Sequence, residues 1–175
     1  MNETALVLRA ALFAAHRHRD QRRKDEAASP YINHPLSLAS VLAVEGGITD
    51  AATLCAALLH DTIEDTDTTG EEIEGEFGAE VRRLVEQVTD DKSLPKAQRK
   101  LAQIEHAAHI DQKAKLVKLA DKICNLRDVA QTPPAGWPIE RRREYFDWAK
   151  SVIDQLRGVD TRLEAIFDQA YGTRP

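Results

Sequence analysis

Cysteine, long apolar runs and a basic excess are all scarce in this 175-residue chain, and each scarcity removes a class of protein. The two cysteines, Cys55 and Cys124, sit inside apolar helical patterns and form no CxxC pair. Reduced core thiols are therefore read there in preference to a disulfide or a thiolate zinc site. No apolar stretch approaches the roughly 18–20 residues of a membrane span. Met1-Asn2-Glu3-Thr4 has no basic segment leading into an apolar one, so no secretory signal is read. The net charge of -5 leaves no bulk footprint for nucleic acid. What remains is a cytoplasmic globular protein that engages neither nucleic acid nor membrane. Its 175 residues suit one domain, 1–175, with enough chain to bury a core.

Alternating strand patterns, internal repeats and low-complexity tracts are missing too, and helical periodicity fills the chain. Leu6, Ala10, Phe13 and Ala14 share a face of a first helix over 3–19. Pro35 opens a second, which Gly46-Gly47 stops. Asp50 caps a third through Leu54, Leu58 and His60. Thr69-Gly70-Glu71-Glu72 has the capping-box form and starts a short fourth, which Gly78 breaks before a fifth carrying Val81, Leu84, Val85 and Val88. Pro95 opens a sixth, Ala114–Arg127 form a seventh, and two more follow at roughly 139–157 and 160–171. The expected fold is an all-α, single-domain bundle of about nine helices.

The chemistry concentrates in four residues on three of those helices: His34, His60, Asp61 and Asp121. The segment Ala56-Ala57-Leu58-Leu59-His60-Asp61 turns abruptly from apolar to acidic, and ionic groups beside such a run are costly unless something pairs with them. Asp61, Glu64 and Asp65 stand at helical spacing i, i+3 and i+4, so three carboxylates share a face. Two imidazoles and two carboxylates without sulfur suit a divalent first-row ion, and the carboxylates favour a harder one, Mn²⁺ first. Spacing alone equally allows a local His–Asp hydrogen-bonded pair. His16, His18, His106 and His109 lack comparable acidic neighbours and read as ordinary.

Longer motifs decide between these readings. Asn33-His34-Pro35, Ala57-Leu58-Leu59-His60-Asp61-Thr62-Ile63-Glu64-Asp65-Thr66, Val88-Thr89 and Val117-Lys118-Leu119-Ala120-Asp121-Lys122-Ile123-Cys124-Asn125 resemble the HD-type hydrolase domain of the RelA/SpoT family. Gln21-Arg22-Arg23-Lys24, Pro30-Tyr31-Ile32-Asn33 and Glu144-Tyr145-Phe146-Asp147-Trp148 resemble its free-standing small alarmone hydrolases. The resemblance implies hydrolysis of the 3′ diphosphate of guanosine tetra- or pentaphosphate, and a hydrolase with no synthetase activity. It implies one Mn²⁺ on His34, His60, Asp61 and Asp121, with Glu64 and Asp65 as the catalytic pair. Arg23 and Lys24 match residues on the guanine and phosphate, Asn125 a residue near the sugar, and Tyr145 a group beside the nucleotide. Lys96 and Arg141 are further candidate phosphate contacts; Phe146 and Trp148 read as core. Another nucleotide, such as 2′-phosphorylated NADP(H), or an idle nucleotide-binding module remain alternatives. The link Asp25-Glu26-Ala27-Ala28-Ser29 departs from the family pattern, which often carries a glycine there. The sequence leaves the oligomeric state open.

Overall fold

A computed structural model describes residues 2–175, leaving Met1 of the expected 1–175 domain outside the described residues. The chain forms an all-α bundle: α1 Glu3–Arg17, α2 Asn33–Ser40 with a π-helical turn Val41–Glu45, α3 Ala51–Leu59, α4 Thr62–Asp65, α5 Gly70–Phe77, α6 Ala79–Val88, α7 Lys96–Ala107, α8 Gln112–Gln131, α9 Ile139–Asp154 and α10 Thr161–Tyr171. No strand forms among the described residues; Arg22 and Pro30 make one isolated antiparallel bridge. The additional helix relative to the sequence reading is α4, a single turn split from α3 at His60-Asp61.

Local signals set most boundaries. Asp50 accepts from Thr53 N at 2.8 Å and caps α3. The Thr69 hydroxyl accepts from Glu72 N, but the Glu72 carboxylate pairs with Arg17 instead of returning to the cap, so only half of the capping box forms. Gly78 takes φ +92° between α5 and α6, where a side chain would strain the backbone. Gly46 ends the π-helical turn against α10, and a Cβ there would meet Leu163 Cδ2 and Leu42 O at 2.8 Å.

Apolar character on all sides puts α3 at the centre: Cys55, Ala56, Ala57 and Leu59 are fully buried, and the small residues let α1, α2, α6 and α8 pack closely around it. Helix α8 is the second spine, touching α2, α3, α6, α9 and α10. The site's three helical segments are therefore anchored to a close-packed core. At the surface, Ala28 holds φ +48° in the link before α2, stabilised by Ser29 hydrogen-bonding to Asp25 through N (2.9 Å) and Oγ (2.6 Å). A left-handed alanine costs about 1–2 kcal/mol, while glycine loses roughly 0.4–1 kcal/mol more on folding. Ala28→Gly should thus raise stability by about 0.5 kcal/mol, read as a higher urea midpoint at unchanged slope.

Candidate active site

Three elements converge on one buried point. Pro35, in the first turn of α2, holds the backbone next to His34; His60 ends α3; and Asp121 lies in mid-α8. His34 Nε2 is 3.2 Å and His60 Nε2 3.9 Å from Asp121 Oδ1, and one ligand atom from each of these three residues falls within 4.8 Å of the others. The histidines are 4% and 5% exposed. Asp61 stands beside this group, with Oδ2 2.8 Å from His60 Nε2 and accepting from the Tyr31 hydroxyl.

The donor set fits a divalent cation. His60 Nδ1 lies 2.8 Å from the Ala57 carbonyl oxygen, to which it donates, so Nε2 is left to face the carboxylates. That Nε2 is buried and lacks an aligned hydrogen bond, despite its closeness to Asp61. Burial pushes the His60 imidazole down, but the charges of Asp61 and Asp121 outweigh it and hold it at about 9. Without a metal, a proton supplies the cation this arrangement demands. Burial would raise both carboxylates; His60 and His34 keep Asp61 well below the usual range, and Lys122 with His34 does so for Asp121.

Glu64 faces the same cavity, of about 410 Å³, and its Oε2 accepts from Asp90 N at 3.2 Å. Burial, then the charges of Asp61 and Asp90, push its carboxyl up to about 7. Asp65 points to an adjoining lobe and is held by Gln21 Nε2 (2.8 Å) and by Lys92. The shared face expected for Asp61, Glu64 and Asp65 spreads over two lobes of one cleft: Asp61 lines the first, Asp65 the second and Glu64 both, with the backbone breaking at Asp61 (φ −101°, ψ 0°) before the turn that carries Glu64 and Asp65.

The expected substrate contacts all line this cleft. Arg23 and Lys24 border both lobes; the Arg23 guanidinium lies 5.6 Å from the Tyr31 ring centroid and pairs with Asp128 at 2.6 Å. Arg22 of the same basic run also borders the second lobe, whereas Arg17 and Arg19 line neither, with Arg17 paired to Asp67 and Glu72. Asn125 Nδ2 donates to Asp121 Oδ1 at 2.6 Å. Tyr145 packs between Trp137 and Trp148, both rings tilted against it, with ring centroids 5.8 and 5.3 Å away. Arg141 covers Trp137 at 4.2 Å, and Lys96 is exposed on the rim.

Trp148 is a wall of the cleft rather than core, with Lys122 Nζ 4.5 Å over its ring, whereas Phe146 is fully buried as expected. The sequence reading also gave no role to Lys118 and Lys122, both buried on the cleft wall. Lys122 pairs with Asp121 Oδ2 at 2.9 Å, while burial and Lys122's charge push Lys118 down to about 8. Two lysines one turn apart in an apolar run were the available signal.

Residues 10–147 match the HD domain. The guanosine-3′,5′-bis(diphosphate) 3′-pyrophosphohydrolase MESH1 of Xenopus tropicalis is 58% identical over 170 residues, covering 97% of this chain and 95% of the relative. That of Homo sapiens is 55% identical over 173 residues, 99% and 97% of the two chains. A solved structure, described as a metazoan ortholog of SpoT that hydrolyses ppGpp and plays a role in starvation responses, superposes with a TM-score of 0.94 at 50% identity, over 97% of this chain and 96% of that one. With an HD-domain match across most of its length and relatives of this similarity, the chain belongs to the HD-domain family, in its MESH1 group.

Proposed function

We propose that this protein hydrolyses the 3′ diphosphate of guanosine tetraphosphate, releasing GDP and pyrophosphate, with pentaphosphate giving GTP. One observation carries the reading: two buried histidines clustered with Asp121, and Asp61 beside His60, open into a cleft walled by Lys96, Lys118, Lys122 and Arg141. That juxtaposition serves a polyphosphate beside a metal, and local cations explain how an acidic protein takes a polyanion.

His34, His60, Asp61 and Asp121 would hold the ion, and their nitrogen and oxygen donors favour Mn²⁺. A divalent cation there supplies Lewis acidity for water activation and phosphate charge neutralisation. Glu64, poised near 7, takes the proton of the attacking water; Asp65, held by Gln21 and Lys92, orients that water or returns a proton to the ribose 3′ oxygen. Water adds to phosphorus as the bond to the 3′ oxygen breaks. Arg23 and Tyr145 flank the nucleoside, Lys24, Lys96 and Arg141 take phosphates, and Asn125 steadies Asp121 beside the sugar. A small-molecule nucleotide is the partner, as suits a cytoplasmic enzyme.

Phosphorus NMR of the reaction tests this. Pyrophosphate should appear while the 5′ diphosphate signals of GDP persist; loss of the 5′ diphosphate, or stepwise orthophosphate release, contradicts it. Arg23→Leu removes a planar cation from the nucleoside side only. It should raise KM about tenfold, or about 1.4 kcal/mol, with kcat within a factor of about two, in steady-state kinetics.

A further inference from the structure

His18 has the sequence context of an ordinary histidine, yet it is 2% exposed at the C-terminal end of α1. Its Nδ1 lies 2.6 Å from Gln21 Oε1, and Gln21 Nε2 donates to Asp65 Oδ2 at 2.8 Å. These contacts fix the proton. A carboxylate only accepts, so Gln21 must present its NH₂ to Asp65 and its oxygen to His18, and His18 must donate from Nδ1. The other ring nitrogen, Nε2, is buried without a partner. The ring also packs on Tyr31, centroids 4.8 Å apart, and the Tyr31 hydroxyl donates to Asp61. Tyr31 N in turn donates to the Gln21 carbonyl at 3.1 Å, closing the corner. Two routes thus run from one buried imidazole, through Gln21 to Asp65 and through Tyr31 to Asp61. His18 lines neither lobe of the cleft.

We propose that His18 is a positioning residue that aligns Asp65 and Asp61 for hydrolysis through Gln21 and Tyr31. The inference rests on the proposed roles of those two carboxylates. A histidine placed at a helix end only for its favourable dipole would affect stability without touching kcat.

The test uses the full-length protein with Mn²⁺ and guanosine tetraphosphate. His18→Leu keeps apolar bulk without a donor; His18→Asn restores an N–H near the position of Nδ1. His18→Leu should lower kcat about 10–100-fold at nearly constant KM, the range seen when a partner behind a site residue is lost. His18→Asn should recover most of it. Gln21→Leu should reproduce the part of the His18→Leu loss that passes to Asp65, and combining them should add little to His18→Leu, because that variant already breaks the Gln21 route. Nitrogen NMR of the metal-free wild type should show a proton on His18 Nδ1, and the Asp65 carboxyl carbon signal should shift in His18→Leu. An unprotonated Nδ1, additive losses in the double variant, or a kcat deficit no larger than the loss of folded protein would overturn the proposal. If the wild type does not turn over guanosine tetraphosphate, the substrate reading fails separately, and the two NMR signals still decide the positioning role.

Discussion

Glu64→Gln is expected to cut turnover of guanosine tetraphosphate by about 10²–10⁴-fold and, with metal chelated, to make the protein more stable above pH 7. The two effects share one cause. Burial beside Asp61 and Asp90 lifts the Glu64 carboxyl from 4.5 to about 7, which readies it for proton exchange but makes its charged form costly in the folded state. The sign follows directly: a carboxyl whose pKa is raised by folding contributes its stability when protonated, below about 4.5, and loses it as pH rises through about 7. Glutamine has the same shape without the charge. Glu64 is only part-buried, so solvent screening cuts the full linkage value, leaving a gain on the order of 1–2 kcal/mol at pH 8 that vanishes near pH 4. Urea melts at the two pH values measure it. Equal stability of variant and wild type at pH 8 would mean that Glu64 is not desolvated as described.

Asp121→Ala should have the opposite effect on stability and an equally severe one on activity. Its carboxylate receives Asn125 Nδ2, faces both histidines and neutralises Lys122, whose side chain is 4% exposed. Removing it strips one metal ligand and leaves an ammonium buried without its carboxylate, a loss of about 3–5 kcal/mol. Elemental analysis after gel filtration should find the variant without metal, and calorimetry should show the lowered melting temperature. His60→Ala makes a useful contrast, because it should also lose metal while leaving the Asp121–Lys122 pair intact. Full metal occupancy in both variants would mean the ligands are misassigned.

The helices were legible because their ends carry local chemistry. Asp50 and Thr69 cap as their side chains dictate, and Gly78 turns where a positive φ is required. Thr62 and Thr66 likewise bond to the carbonyls of Leu59 and Thr62, a local role readable from sequence. The break at His60-Asp61 was not legible. Nothing local forbids one continuous helix there, and its termination belongs to the tertiary setting that brings His60, Asp61 and Tyr31 together. That break puts Glu64 and Asp65 on a separate turn, α4, instead of on α3. The His34, His60 and Asp121 cluster was visible as residue types in order, and motif resemblance favoured reading it as a metal site over a simple pair. Its supporting groups were not, because Tyr31, Gln21 and His18 meet the acidic residues across 30 or more positions, or through an intermediary.

In the proposed reaction, a cation on His34, His60, Asp61 and Asp121 drives release of a 3′ diphosphate into a basic cleft. Pyrophosphate release from guanosine tetraphosphate by the purified wild type, with Mn²⁺ and again after chelation, tests it most directly, with NADPH assayed in parallel. Mn²⁺-dependent pyrophosphate and GDP are expected, abolished by chelation and restored by adding the ion back. Undiminished release after exhaustive chelation, or turnover of NADPH with none of the tetraphosphate, would contradict it.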